Sequence, residues 1–188
     1  MKRTLAALAA ASGFIASTPA LAQGWYGGLS VGQARIDVSA AEIGLDSGSL
    51  KGHPTAFGAR VGYEVDWYGG IEAGFYNLGK YGFSGSFMGL PAGGQAKVKS
   101  YNLGLVGNLP LGNQFSAYGK LAIARTRFEV NADVAGFSGS SSDWENEAMY
   151  GVGVKWMPNP QWGVFAEWMR YHDTQIETFQ VGGLVKFQ

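Results

Sequence analysis

Charged residues recur on one face of a chain that alternates between apolar and small or polar residues, and they are the residues that could do chemistry. In a dry interior an unpaired charge is very costly, so bases and acids on that face should pair. Pairs that exchange partners would form a gate, whereas fixed pairs would only fill a narrow space. The residues predicted to point inward are Arg60, Glu64, Glu72, Lys120, Lys155, Glu167 and Lys186.

Distance from the predicted turns divides these charges into two layers. The mid-level layer, roughly five to six residues from a short turn, is the candidate gate and consists of Arg60, Glu72, Lys120 and Glu167. A turn over residues 65–67 would place Arg60 directly opposite Glu72. The lower layer, closer to the turns, consists of Glu64, Lys155 and Lys186.

Catalytic chemistry has weak support in the sequence. His172 is followed by Asp173 and Thr174, but a triad needs a good nucleophile beside the histidine, and threonine is a poor one. His53 precedes Pro54 and has no partner in sequence, and two lone histidines without cysteine do not make a metal site. We therefore predict no catalytic residue, no metal site and no cofactor.

The elements that must position the charges are strands, because apolar residues recur with period two in segments of about ten residues. The eight predicted segments are 25–35, 55–65, 68–81, 98–109, 115–128, 144–156, 162–171 and 175–187. Short turns are predicted at 66–67, 110–114 and 157–161, and long loops at 38–54, 82–97 and 129–143, with a short outer connection at 172–174. Alternating short and long connections are typical of an up-and-down barrel.

The composition of the two faces indicates a membrane barrel. Glycine accounts for 30 of 188 residues, and the polar face is mostly glycine, alanine and a few charges, which suits a cramped eight-strand interior. The apolar face would then meet lipid. A secreted lipocalin-like barrel is the alternative. Aromatic residues predicted to form a girdle beside the short turns are Trp25, Trp67, Tyr68, Trp156, Trp162 and Phe187. A second ring is predicted at the loop ends, from Tyr81, Phe128, Trp144 and Tyr171.

The N-terminus indicates export. Lys2 and Arg3 precede a short apolar run that ends in Ala20-Leu21-Ala22, which is the pattern of a signal peptide cleaved after Ala22. Residues 1–22 are therefore predicted to be the signal peptide, and residues 23–188 the barrel domain. Lysine plus arginine equal aspartate plus glutamate at 14 each, so the basic excess of a nucleic-acid binder is missing.

Five stretches in the same order resemble the eight-stranded transmembrane domain of the outer membrane protein A family: GWYGGLSVG, FGARVGYEVDWYGGIEAGFYNLG, LVGNLPLGNQFSAYGKLAIARTR, GVGVKWMPNPQWGVFAEWMRYH and FQVGGLVKF. The resemblance implies an all-β, antiparallel transmembrane β-barrel in the outer membrane. It also implies that Glu72, Lys120 and Glu167 match a salt-bridge plug that has been discussed as a gate. Lys155 departs from the family, whose matching position is often acidic, and this weakens the case for partner exchange.

The leading functional hypothesis is a non-enzymatic OmpA-like envelope protein with a structural and surface-contact role. Its expected partners are outer-membrane lipid and lipopolysaccharide, the outer-membrane assembly machinery, and a surface ligand held by the outer loops. A narrow channel for ions or small solutes, gated by the mid-level charges, is the first alternative. A lipid A-modifying enzyme is the second.

Overall fold

A computed structural model describes residues 24–39, 47–65, 68–87, 90–134 and 137–187, all of them in strands or short connections. The predicted signal peptide, residues 1–22, lies outside the described residues, and so does Trp67. The strands are β1 Gly24–Ser39, β2 Ser47–Gly52, β3 Thr55–Glu64, β4 Gly69–Phe87, β5 Leu90–Pro110, β6 Phe115–Val134, β7 Phe137–Trp156, β8 Trp162–Tyr171 and β9 Glu177–Phe187.

Eight of these strands close into an antiparallel barrel. Each pairs with its neighbours in the order β1-β3-β4-β5-β6-β7-β8-β9, and β1 pairs with β9 to complete the ring. β2 is a short additional strand that pairs with the far ends of β1 and β4. The connections after β3, β5 and β7 lie at one end, which we name the turn end, and the opposite end is the loop end. The predicted eight-stranded up-and-down barrel is thus confirmed.

The alternation that predicted the strands also sets their orientation. Outward-facing residues are large and exposed: Leu29 and Ile123 have 71% and 72% of their surface accessible. A water-soluble barrel would not expose a continuous apolar belt of this kind, whereas a barrel in lipid requires one. No helix in the described part of the chain is long and apolar enough to span a membrane.

The predicted long loops are wrong in large part, because the strands continue through them. β4 and β5 pair from Gly69 to Phe87, and β6 and β7 pair from Phe115 to Val134, so that only residues 88–89 and 135–136 separate the paired strands. Serine and glycine along these tips predicted loops, but backbone hydrogen bonds need no particular side chain, and neighbouring strands supply the partners. We name residues 83–94 and 130–141 the outer extension.

Apolar side chains form a cluster inside the loop end, which the sequence analysis missed. Buried residues there form one cluster: Ala34, Ala56, Tyr76, Leu78, Tyr81, Val98, Ala124, Met149, Met169, Tyr171 and Ile176. Tyr81 and Tyr171 were predicted to belong to an outer aromatic ring, and this is wrong because both are completely buried inside. A bulge between Asn77 and Gly79 shifts the register of β4, and from there Tyr81 faces inward.

Candidate functional site

The four mid-level charges meet at the centre of the barrel, and we name them the central charge cluster. Arg60 donates two hydrogen bonds to Glu167, from Nη2 to Oε1 at 2.7 Å and from Nη1 to Oε2 at 3.1 Å, and its Nη1 lies 3.6 Å from Glu72 Oε2. Lys120 Nζ contacts Glu72 Oε1 and lies 3.3 Å from Glu167 Oε2. Each base therefore touches both acids, and the cluster is neutral as a closed square of four ion pairs.

Tyrosines and an aromatic ring fix the cluster in place. The Tyr26 hydroxyl donates to Glu72 Oε2 at 2.8 Å, and Lys120 Nζ donates to the Tyr76 hydroxyl at 3.3 Å. The Arg60 guanidinium lies 4.0 Å from the centre of the Phe165 ring. Every one of these contacts joins different strands, so the cluster crosslinks the barrel wall as well as filling it.

Glycine makes room for these tyrosines. A Cβ atom added at Gly62 would lie 2.3 Å from the Tyr26 ring, and one at Gly58 would lie 2.7 Å from the Tyr76 ring. Both distances are far inside van der Waals contact, so an alanine would displace the ring. The glycine-rich inner face is thus paired in space with large rings from neighbouring strands, and those rings hold the charges.

The register of the first hairpin differs from the prediction. Arg60 pairs with Gly74, and Glu72 pairs with Gly62, so the expectation that Arg60 lies directly opposite Glu72 is wrong. The turn is longer than predicted, and the Val65 amide donates to the Gly69 carbonyl at 3.0 Å. Because the shift is two residues, both side chains stay on the inner face and still meet diagonally.

The lower layer also comes together. Lys155 Nζ donates to Glu64 Oε1 at 2.8 Å, and Lys186 Nζ contacts Glu64 Oε2. A belt of Val106, Tyr118, Phe165 and Leu184 packs between this layer and the central charge cluster. A cavity of about 20 Å³ lies between the two layers, which is room for about one water molecule.

The arrangement can therefore plug the barrel, and it offers little to a gate. Partner exchange needs a spare charge within reach, but Glu64 is already bound to two lysines and each central acid to two bases. Lys155, where the resembling family is often acidic, adds a positive charge below the cluster and so supplies no acceptor. Above the central charge cluster, packed apolar side chains occupy part of the loop-end interior.

Glu147 is a buried charged residue that sequence reasoning missed. Its Oε1 accepts from the Thr126 hydroxyl at 2.8 Å, and its Oε2 accepts from the Thr174 hydroxyl at 2.8 Å and the Thr174 amide at 3.0 Å. It therefore fastens the β8–β9 turn to the inside of β7. The signal was present in the sequence, because Glu147 lies within the predicted segment 144–156 and has the same inward parity as Lys155.

The histidine considered for catalysis lies in the β8–β9 turn. His172 is exposed, and its backbone amide donates to the Ala148 carbonyl at 2.9 Å. The Thr174 hydroxyl, the only hydroxyl in the His-Asp-Thr tripeptide, already donates to Glu147. Within the described part of the chain no three histidine or acidic side chains lie close enough together to hold a metal ion.

Of the aromatic residues predicted beside the turns, those that the structure describes face outward. Trp25 packs edge-on against Tyr63, with ring centres 5.3 Å apart, and Trp156 stacks on Phe115 at 6.1 Å. Tyr68, Trp162 and Phe187 are exposed at the same end. Exposed aromatic rings at one end of a barrel are expected at a membrane–water interface, so an interfacial girdle remains their predicted role.

Comparison with known proteins places this geometry among envelope barrels. A family model, Outer membrane protein beta-barrel domain, matches residues 6–187. Ail, the attachment invasion locus protein of Yersinia pestis, solved in complex with the heparin analogue sucrose octasulfate, has a similar structure: TM-score 0.57, 22% identity, 87% of this chain and 99% of that chain. Neisserial surface protein A is also similar in structure, with a TM-score of 0.58 and 14% sequence identity. The match covers 87% of this chain and 97% of that chain. OprG from Pseudomonas aeruginosa has a TM-score of 0.58 and 16% sequence identity, and the match covers 88% of this chain and 96% of that chain. No curated protein is detectably similar in sequence.

Proposed function

Because the chain belongs to the outer membrane protein β-barrel domain family, we propose that it is a non-enzymatic outer-membrane protein that supports the envelope and binds a surface ligand. The observation that carries this proposal is the plugged lumen, in which paired charges and packed apolar side chains occupy the interior. With the lumen filled, a partner would have to bind at the surface, and the outer extension is one part of the described chain that it can reach. We further propose that residues 1–22 are removed during export and that the assembly machinery inserts the barrel.

The outer extension is well suited to contact. From Met149, where β8 stops pairing, β7 continues for twelve residues to Phe137, which is about 40 Å of strand. Its neighbours β4, β5 and β6 extend beside it as one sheet. A sheet whose strands are already paired costs less to order on binding than an unstructured loop would. Ail, of similar fold, has been solved with a heparin analogue, so heparin is a reasonable first probe.

A trimmed variant tests this function. Gly82 pairs with Gln95, and Glu129 pairs with Ser142, so an Asn-Gly turn can replace residues 83–94 and another can replace residues 130–141 without a change of register. Cells that display the wild type should adhere to a heparin-coated surface, and cells that display the trimmed variant should not. A heat-modifiable gel shift controls for folding. Equal adhesion by both would overturn the surface role of the extension.

The channel hypothesis is tested on the same protein. Single-channel recordings of the refolded wild type in a planar bilayer should give no reproducible steps, since the closed square of ion pairs supports a plug. Steps that change in Lys120→Ala would favour the ion or small-solute channel instead.

A further inference from the structure

Five cationic side chains face outward together on β4, β5 and β6, on the same face as Leu103 and Ile123. Strand pairing places Lys80 beside Lys97, and Lys99 beside Arg127. Glu129 lies among them, 3.5 Å from Lys99 and 3.4 Å from Arg127. Five positive charges and one negative charge leave a net charge of +4. We name this group the outward cationic patch: Lys80, Lys97, Lys99, Arg125, Arg127 and Glu129.

The height of the patch matches a membrane interface. Arg125 is ten residues from Phe115, the residue that starts β6 at the turn end. Ten residues span about 33 Å of strand, or about 25 Å along the barrel axis for a strand tilted by about 40°. The apolar band of outer-membrane barrels is also about 25 Å tall. If Phe115 marks one interface, Arg125 and its neighbours therefore lie at the other.

An aromatic row orients two of the cations at this boundary. The Phe75 and Tyr101 rings are 5.0 Å apart, and Tyr101 is 6.1 Å from Trp144. The guanidinium of Arg125 lies 4.9 Å from the centre of the Trp144 ring, and that of Arg127 lies 5.4 Å from it. Two guanidinium groups beside one ring are partly oriented before any ligand arrives. Their paired N–H donors match the oxygens of a phosphate.

The patch has no counterpart at the other interface. Among the described residues, the side chains that face outward at the turn end are uncharged: Trp25, Tyr63, Ile71, Leu109, Phe115, Trp156, Trp162 and Phe187. In outer-membrane barrels short turns face the periplasm and the longer connections face outward. The positive charge is thus directed at one leaflet only, the outer one, and at the level of its headgroups.

We propose that the outward cationic patch binds the phosphate groups of the phosphorylated glycolipid of the outer leaflet. Arg125 and Arg127 are the phosphate ligands, and the three lysines add attraction. The glycolipid's acyl chains then lie along the apolar belt directly below. This inference rests on the outer-membrane location in the proposed function, but not on the ligand of the outer extension.

The test measures lipid binding to refolded protein in micelles. Native mass spectrometry gives the apparent dissociation constant for bisphosphorylated lipid A, with dephosphorylated lipid A as the matched probe. The variant is Lys99→Gln/Arg125→Gln/Arg127→Gln. The control is Arg35→Gln/Arg170→Gln, which removes outward cations from β1 and β8. The variant should bind about tenfold more weakly or worse, and the control within about twofold of wild type.

Three results would overturn the proposal: equal binding by the folded variant and wild type, equal loss in the control, or equal affinity for dephosphorylated lipid. Millimolar inorganic phosphate should not displace the lipid; if it does, the site takes free phosphate instead. Should the triple variant fail to fold, Glu129→Gln answers the same question, because it raises the patch charge and should tighten binding. No tightening would count against the patch.

The same variants separate this inference from the proposed function. The trimmed variant keeps every residue of the patch, so it should lose adhesion to heparin and retain lipid A. The triple variant keeps the outer extension, so it should lose lipid A and retain adhesion. Loss of heparin binding in the triple variant alone would assign heparin to the patch and refute the role given to the extension.

Discussion

Replacement of Lys120 by methionine should destabilise the barrel severely, since Lys120 touches both acids of the central charge cluster. Only 1% of its side chain is exposed, and its Nζ lies 3.3 Å from Glu167. At that distance, with an effective dielectric constant of about 20, one charge pair is worth about 5 kcal/mol. Two effects reduce this loss: Arg60 still neutralises one of the acids, and the variant no longer has to bury a lysine ammonium group. We expect a net loss of about 3–5 kcal/mol in the free energy of unfolding.

The lower layer provides a matched control. Lys186→Met also removes a lysine from a carboxylate, but 25% of the Lys186 side chain is exposed, and Glu64 keeps its bond to Lys155 at 2.8 Å. We expect a loss of about 1 kcal/mol or less. Urea unfolding of both variants from the same lipid vesicles, followed by tryptophan fluorescence, measures the difference.

A second substitution tests whether charge is the cause. Lys120→Met leaves the central charge cluster with a net charge of −1, and Glu72→Gln in the same chain restores neutrality. The double variant should recover at least half of the lost free energy, because the penalty comes from an uncompensated buried carboxylate. The reasoning from buried ion pairs is refuted if Lys120→Met lowers the free energy of unfolding no more than Lys186→Met does. It is also refuted if the loss in the double variant equals the sum of the losses in Lys120→Met and Glu72→Gln alone.

Three further predictions follow from other contacts. Gly62→Ala should cost about 1–3 kcal/mol in the same urea experiment because its Cβ would meet the Tyr26 ring at 2.3 Å, whereas Gly119→Ala, whose nearest neighbour would be 3.9 Å away, should be nearly neutral. Glu147→Ala should speed hydrogen exchange in the β8–β9 turn by about tenfold without altering the β1–β9 seam, since the turn loses its two bonds to that carboxylate; unchanged exchange would show that the turn is held by other contacts. His172→Ala should leave the lipid A profile of expressing cells the same as wild type, and a changed profile would revive the lipid-modifying enzyme.

The inward positions of the charges were predictable because side chains alternate regularly along the strands between the short turns and the central charge cluster. Arg60 and Glu72 were assigned the wrong partners, yet they still meet, since a register error of two residues returns each side chain to the same face. Depth along the strand was predictable for the same reason, because the short turns supply a common origin. Whether a residue faces inward and how far it lies from a turn depend on its position in the chain, so both can be predicted correctly even when its partner on the next strand is not.

The ends of the strands were not predictable from composition. The tips of β4 to β7 carry glycine and serine, which resemble a loop in sequence, but a neighbouring strand satisfies their backbone hydrogen bonds. Tyr81 was misplaced because the bulge after Asn77 reverses the alternation. A bulge leaves no reliable signature in a single sequence, and pairing between strands is a tertiary property.

The same distinction explains where the two proposed activities lie. Below the loop-end rim, side chains must alternate because lipid lies outside and a filled lumen inside, so the sequence there is fixed by the fold. Beyond the rim this requirement ends, and residues 140–146 of β7 are exposed on both faces of the strand. The outward cationic patch stands at that transition: Arg125 and Arg127 occupy the two outward positions that follow Ile123 on β6, where the next apolar residues would otherwise stand. If the apolar belt were taller, apolar residues would stand at these two positions. Anionic headgroups at that level are the simplest explanation for finding cations there instead.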